Sequence, residues 1–193
     1  MQFHKWFPVT ISCEDIQGEA FDNIQSEIAN QLPDMLDCDM SNPWNDAVET
    51  SFKYTDTRNI IIDFNLDVLK SNIILNVNKF LEHHGIFNNE VTFHQSWINV
   101  SKQNGFQFDH NHIGCDISGV YYYQTSTTDG DILFQNPNPH GVDSITPHTK
   151  LVRYKPLTGR MLLFPAWLFH RVEINQTSYE RISFTFNIKL NQN

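Results

Sequence analysis

Basic residues are scarce in this chain. Thirteen Lys and Arg stand against twenty-two Asp and Glu, a formal net charge of −9 at pH 7. Without a basic field to gather phosphates, non-specific nucleic-acid binding is not expected. Cysteine is equally sparse. Cys13, Cys38 and Cys115 are widely spaced and form no CxxC pair, so neither a disulfide framework nor a thiolate zinc site is indicated, and a reducing compartment is the default. No apolar run approaches the roughly 18 residues that a membrane span needs. The segment Met1–Pro8 lacks the charged, apolar and then small pattern of a secretion signal. A soluble, cytoplasmic protein is expected. No Gly/Ser linker or internal repeat divides the 193 residues, which points to one domain over 1–193.

Aromatic residues, by contrast, are abundant. Fifteen Phe, six Tyr and four Trp suit pleated, half-buried strands better than helices. Residues 3–12 predict a first strand that Pro8 places at a sheet edge or bend. Phe21, Ile24, Ile28 and Leu32 recur at helical steps, an amphipathic helix expected to close at Pro33. Residues 34–59 are polar and irregular, a surface excursion. A second helix follows, with Asp67 as its cap, an apolar face of Leu69, Ile73, Val77, Phe80 and Leu81, and Gly85 as its stop.

After Asn89 the texture changes to short apolar runs between turn residues, at about 91–100, 106–110, 117–124, 131–134, 146–154, 160–164, 168–174 and 180–190. Eight such runs predict a mainly β (α+β) fold, a sandwich or double-sheet jelly roll. Residues 1–90 would be its helical and irregular support and residues 91–190 its core. Helices first and strands after exclude a parallel βαβ order.

The chemistry concentrates in the β half. His110 and His112 are two apart, so in extended chain both side chains leave one face as a ready bidentate clamp for Fe(II), Zn or Cu. His170 follows an apolar run closed by Pro165 and Trp167, where a polar group needs a partner or a metal. In the last predicted strand Ile182, Phe184, Phe186, Ile188 and Leu190 share one face, and Arg181, Ser183, Thr185, Asn187 and Lys189 the other. If that polar face lines a barrel lumen, Arg181 can fork a carboxylate and Ser183 can add a hydroxyl.

Taken together, these pieces resemble the 2-oxoglutarate/Fe(II)-dependent dioxygenases of the double-stranded β-helix fold, and within them a bacterial and phage subgroup with an HxH motif. The matching residues are Ser96-Trp97-Ile98-Asn99, His110-x-His112, Ser118-Gly119-Val120-Tyr121-Tyr122, Asp131-Ile132-Leu133-Phe134-x-Asn136-Pro137, Phe164-Pro165-x-Trp167-Leu168-x-His170 and Arg181-x-Ser183-x-x-Phe186-Asn187. The likeness covers roughly residues 91–189. It implies a cupin-like jelly roll braced by the N-terminal helices. Fe(II) would be held by His110, the residue two later and His170, and the cosubstrate 2-oxoglutarate by Arg181 and Ser183. It further implies an oxygenase that takes O₂ and hydroxylates a substrate, with release of succinate and CO₂.

The chain departs from the resemblance at one position, because most of that superfamily has a carboxylate where His112 stands. His112, Asp109 and Asp116 therefore all stand as candidates for the third ligand. Either aspartate could instead orient an imidazole from outside the ligand set. Tyr122 and Asn99 are expected to touch the cosubstrate, and Trp97 and Asn187 to lie behind the site. His94, His140 and His148 have no such context. Two other readings compete: a three-histidine cupin-type metalloprotein that needs no keto acid, and a non-catalytic jelly-roll binding module. The substrate is not encoded in any motif; its specificity is expected in loops such as 34–59 and 136–155.

Overall fold

The computed structural model describes residues 9–53, 58–87, 90–138 and 150–191. Two antiparallel sheets face each other. The larger has six strands in the order β1 (Ser12–Asp15), β8 (Arg160–Pro165), β5 (Ile117–Gln124), β10 (Arg181–Asn191), β3 (Glu90–Ser101) and β2 (Val48–Thr50). The smaller runs β4 (Gln107–His110), β9 (His170–Val172), β6 (Ile132–Gln135) and β7 (Leu151–Tyr154). This is the double-stranded β-helix that the sequence led us to expect.

Two apolar layers hold the sheets in place. Helices α1 (Gly18–Leu36), α2 (Ile60–Asp63) and α3 (Asp67–His83) cover the outer face of the large sheet. There Ile24, Ile28, Ile73 and Val77 pack with Ile98, Tyr121, Phe184 and Phe186. Between the sheets, a smaller cluster joins Val120, Leu162 and Phe164 to Ile132, Phe134 and Val172. The alternation along β10 thus sorts one strand between two layers, as its period-two pattern demands. Gly119 on β5 pairs with Phe186 and leaves room for its ring: a Cβ there would sit 2.5 Å from it.

The N-terminal half differs from expectation in four places. The first described strand is Ser12–Asp15, at a sheet edge but further along the chain than anticipated; residues 1–8 lie outside the described residues. Pro33 does not close α1. The helix runs on to Leu36 because buried Met35 anchors its last turn and Asp37 N–H donates to the Pro33 carbonyl, which proline retains. Asp67 is the first residue of α3 rather than its cap. The cap comes from α1, where the Glu27 carboxylate accepts from Val68 N–H at 2.8 Å and Leu69 N–H at 2.9 Å. Gly85 does end the helix, at φ +71°, with Ile86 N–H donating back to the Leu81 carbonyl. Finally, the polar stretch after α1 is not all surface: Val48, Thr50 and Ser51 are buried, and β2 extends the large sheet.

In the β half, β7 takes up only the end of the expected 146–154 run, whose first residues fall outside the described set, as do His140 and His148. His94 is exposed on β3.

Candidate metal centre

β4 and β9 pair so that His110 lies directly opposite His170. His112 follows on the turn after β4, held by its own N–H donating to the Ala166 carbonyl at 2.8 Å. This brings a pair of side chains two residues apart and a third from a distant strand to one point: a potential ligand atom from each of His110, His112 and His170 lies within 4.8 Å of the others.

The imidazoles are in a form that could bind a metal. His110 Nδ1 lies 2.7 Å from the Phe108 carbonyl and His170 Nδ1 lies 2.9 Å from the Leu168 carbonyl. A carbonyl only accepts, so each Nδ1 carries the proton and each Nε2 keeps its lone pair. His112 Nε2 is fully buried and has no hydrogen-bond partner among the described residues. Burial holds all three rings below the usual imidazole range, His112 down to about 3 and His170 well below, with His110 adding a smaller like-charge effect on both. Neutral imidazole is the form that binds a metal. Phe134 and Phe164 stand 5.7 and 4.8 Å from the His170 ring and screen it from water.

Among the described residues no carboxylate joins this cluster. Asp109 accepts from Gln135 Nε2 at 2.7 Å and faces Arg171 at 3.5 Å, while Asp116 accepts from Leu190 N–H at 2.8 Å. Neither aspartate bonds to an imidazole ring. The orienting acceptors are instead backbone carbonyls.

The triad borders a cavity of about 110 Å³ between the sheets, also lined by Tyr122, Asn99, Trp97, Arg181 and Ser183. Arg181 is only 4% exposed. Its Nη1 donates to the carbonyls of Asp129 at 2.7 Å and Gly130 at 3.0 Å, which fixes the plane of the guanidinium. Gly130 can make this approach only as glycine: its φ is +95°, and a Cβ would lie 2.2 Å from the Glu173 carbonyl oxygen. Among the described residues no carboxylate pairs with Arg181 within 4.0 Å. Burial pulls the Arg181 pKa down and pushes the Tyr122 phenol up to about 12. Asn99 Nδ2 donates to Thr185 Oγ1 at 3.0 Å, leaving its buried carbonyl oxygen without a partner. Asn187 is buried on the same face of β10, and its side-chain oxygen too lacks a partner.

Two wall residues went unmarked in the sequence. Trp44 packs against His110 at a tilt, with ring centroids 4.6 Å apart, and Phe52 lies 4.9 Å from Trp97. Both come from the polar stretch between α1 and α2; only their aromatic character within so polar a segment could have flagged them.

Residues 95–187 match a family model described as "Putative 2OG-Fe(II) oxygenase". The chain thus matches the 2OG-Fe(II) oxygenase family from Gln95 to Asn187. It is an enzyme of that class, whose cofactors are Fe(II) and 2-oxoglutarate. Solved structures agree on the fold. A 2OG-Fe(II) oxygenase family oxidoreductase from Burkholderia pseudomallei shares 11% identity, with 91% of this chain and 92% of that one covered at a TM-score of 0.60. HygX from Streptomyces hygroscopicus, solved with nickel, 2-oxoglutarate and hygromycin B bound, shares 10% identity over 94% and 83% at a TM-score of 0.62. A Trichoplax adhaerens prolyl hydroxylase, in complex with a hypoxia inducible factor peptide fragment, shares 16% over 94% and 83% at 0.57. A comparison with curated protein sequences finds no match.

The oxygenase's own side chains fit both groups. Three neutral imidazoles, one with an orphaned buried nitrogen, suit Fe(II). A buried guanidinium with no carboxylate in direct contact among the described residues suits a carboxylate ligand. No helix of the described residues is long and apolar enough to cross a membrane.

Proposed function

We propose that this oxygenase hydroxylates its substrate, converting 2-oxoglutarate and O₂ to succinate and CO₂. In this reading His110, His112 and His170 hold Fe(II), and Arg181 with Ser183 holds the far carboxylate of 2-oxoglutarate. The observation that carries it is the pairing, in one cavity, of a convergent neutral histidine triad with a buried arginine that has no carboxylate within 4.0 Å among the described residues. The engagement of Asp109 with Gln135 and Arg171, and of Asp116 with the end of β10, supports His112 as third ligand.

When bound, Fe(II) supplies the open coordination positions at which a keto acid and oxygen meet. The chain's residues do the rest. The carbonyls of Phe108 and Leu168 fix the tautomer and direction of two imidazoles before any metal arrives. The carbonyls of Asp129 and Gly130 hold Arg181 so that its remaining donors face the cavity, where a bidentate pair with a carboxylate sets the cosubstrate's orientation. Tyr122, kept protonated by burial, and the orphaned Asn99 oxygen supply a donor and an acceptor along that path. Phe134 and Phe164 keep water from the inner side of His170.

The test is an anaerobic titration of metal-free protein with Fe(II), then 2-oxoglutarate, following the visible band of a metal–keto acid chelate. The band should need both components and vanish in His170→Ala. Iron binding without a band would favour a keto-acid-free three-histidine centre. No iron binding would leave a non-catalytic jelly-roll module.

A further inference from the structure

Arg181 is the only charged side chain among the described residues that line the cavity. With Arg181 committed to the cosubstrate, the surfaces left for a substrate are aromatic rings and side-chain amides. The rings form a connected wall beside the metal centre. Phe52 lies 4.9 Å from Trp97, Trp97 lies 5.6 Å from His112, and Trp44 lies 4.6 Å from His110.

Two exposed apolar side chains stand beside residues of the site. Ile113, next to a candidate ligand, is 87% exposed, and Trp167 is 52% exposed. The two are tied to one rim, since Asn111 Nδ2 donates to the Trp167 carbonyl at 3.3 Å and His112 N–H to that of Ala166. Apolar surface gathered at the mouth of a site marks something to be covered. Size adds a constraint. A pocket that encloses a whole small-molecule ligand usually measures roughly 300–1,000 Å³. This cavity measures about 110 Å³ and must also hold the cosubstrate.

We propose that the wall of Trp44, Phe52 and Trp97 receives an uncharged, apolar-faced group of a substrate larger than the cavity, whose body lies across Ile113 and Trp167. The stretch between α1 and α2, which supplies Trp44 and Phe52, is then the element that selects the substrate. Among the described lining residues an anionic group would find no basic partner besides Arg181, and a cationic one no carboxylate. The proposal rests on the cosubstrate reading of Arg181.

The experiment uses Zn(II)-loaded protein with 2-oxoglutarate and three fluorescent dyes: neutral N-phenyl-1-naphthylamine, anionic anilinonaphthalene sulfonate and cationic thioflavin T. The neutral dye should bind saturably, and its Kd should rise at least tenfold in Trp44→Ala and in Phe52→Ala. Leu75→Ala, on the exposed side of α3, should change nothing. Ile113→Ser, too exposed to endanger the fold, should weaken binding several-fold and serves if the other variants misfold. Stronger binding of either charged dye, or wild-type affinity in folded Trp44→Ala, would overturn the proposal. Calorimetric titration of 2-oxoglutarate into Zn(II)-loaded wild type separates the two readings. If none binds, the role of Arg181 falls, and the dye affinities still decide the wall.

Discussion

The two faces of β10 are both out of water, yet they are built to opposite rules. Toward the helices, Ile182, Phe184, Phe186 and Ile188 are buried in an apolar layer with ring contacts such as Phe93–Phe186. Toward the cavity, Arg181, Ser183 and Asn187 are buried as well, among polar atoms that lack partners. The first face gains stability from every methylene it buries. The second holds a cation and amides that cost stability and have value only when something binds them. One strand therefore separates what folds the protein from what the protein does.

Substitutions on either side should sharpen that division. Phe184→Ala, on the helix face, should cost about 3–5 kcal/mol in denaturant unfolding, because its ring is fully buried. Arg181→Ala, three residues back on the opposite face, should lower affinity for 2-oxoglutarate by about 2–5 kcal/mol in calorimetry, as for a truncated buried charge pair, with little loss of stability. If Arg181→Ala unfolds the protein as Phe184→Ala does, the cavity face is structural after all. Acid should probe the metal end of the same face. Because burial holds the three imidazoles neutral in the folded state, metal-free protein pays nothing above the unfolded pKa near 6.5. Below it the unfolded chain takes up protons that the native triad refuses. Stability should then fall by up to about 1.4 kcal/mol per pH unit for each group, toward the value of about 3 for His112. The unfolding midpoint of metal-free protein at pH 7.5 and at pH 5.5 checks this, and equal midpoints would contradict neutral burial of the triad. The smallest effect belongs to the helical layer. Glu27→Gln weakens the carboxylate that caps α3 and should cost about 1 kcal/mol, read as a modest drop in Tm with cofactor affinity unchanged.

What the sequence disclosed followed the reach of its patterns. The alternation along residues 181–190 located a strand, its core face and its polar face, because period two is a local property. His110, His112 and His170 each stood out locally as candidate metal ligands, but their meeting depends on the pairing of β4 with β9, which no local pattern records. Trp44, Phe52 and Glu27 stayed hidden for the same reason. Each acts on a partner brought near by tertiary packing, as when Glu27 caps a helix that begins forty residues later. Pro33 misled because proline ends a helix when nothing beyond it is anchored, and here buried Met35 is.

Burial also grades along the cavity, from His110 and Trp44, which are partly open, to Arg181, Ser183 and Tyr122, which are closed off. That gradient carries a kinetic instruction. A keto acid destined for Arg181 must pass the histidines, and a large body resting on Ile113 and Trp167 would stand in its way. On this reading the two molecules load in compulsory order, the small one first, and excess of the large one slows turnover by blocking the door.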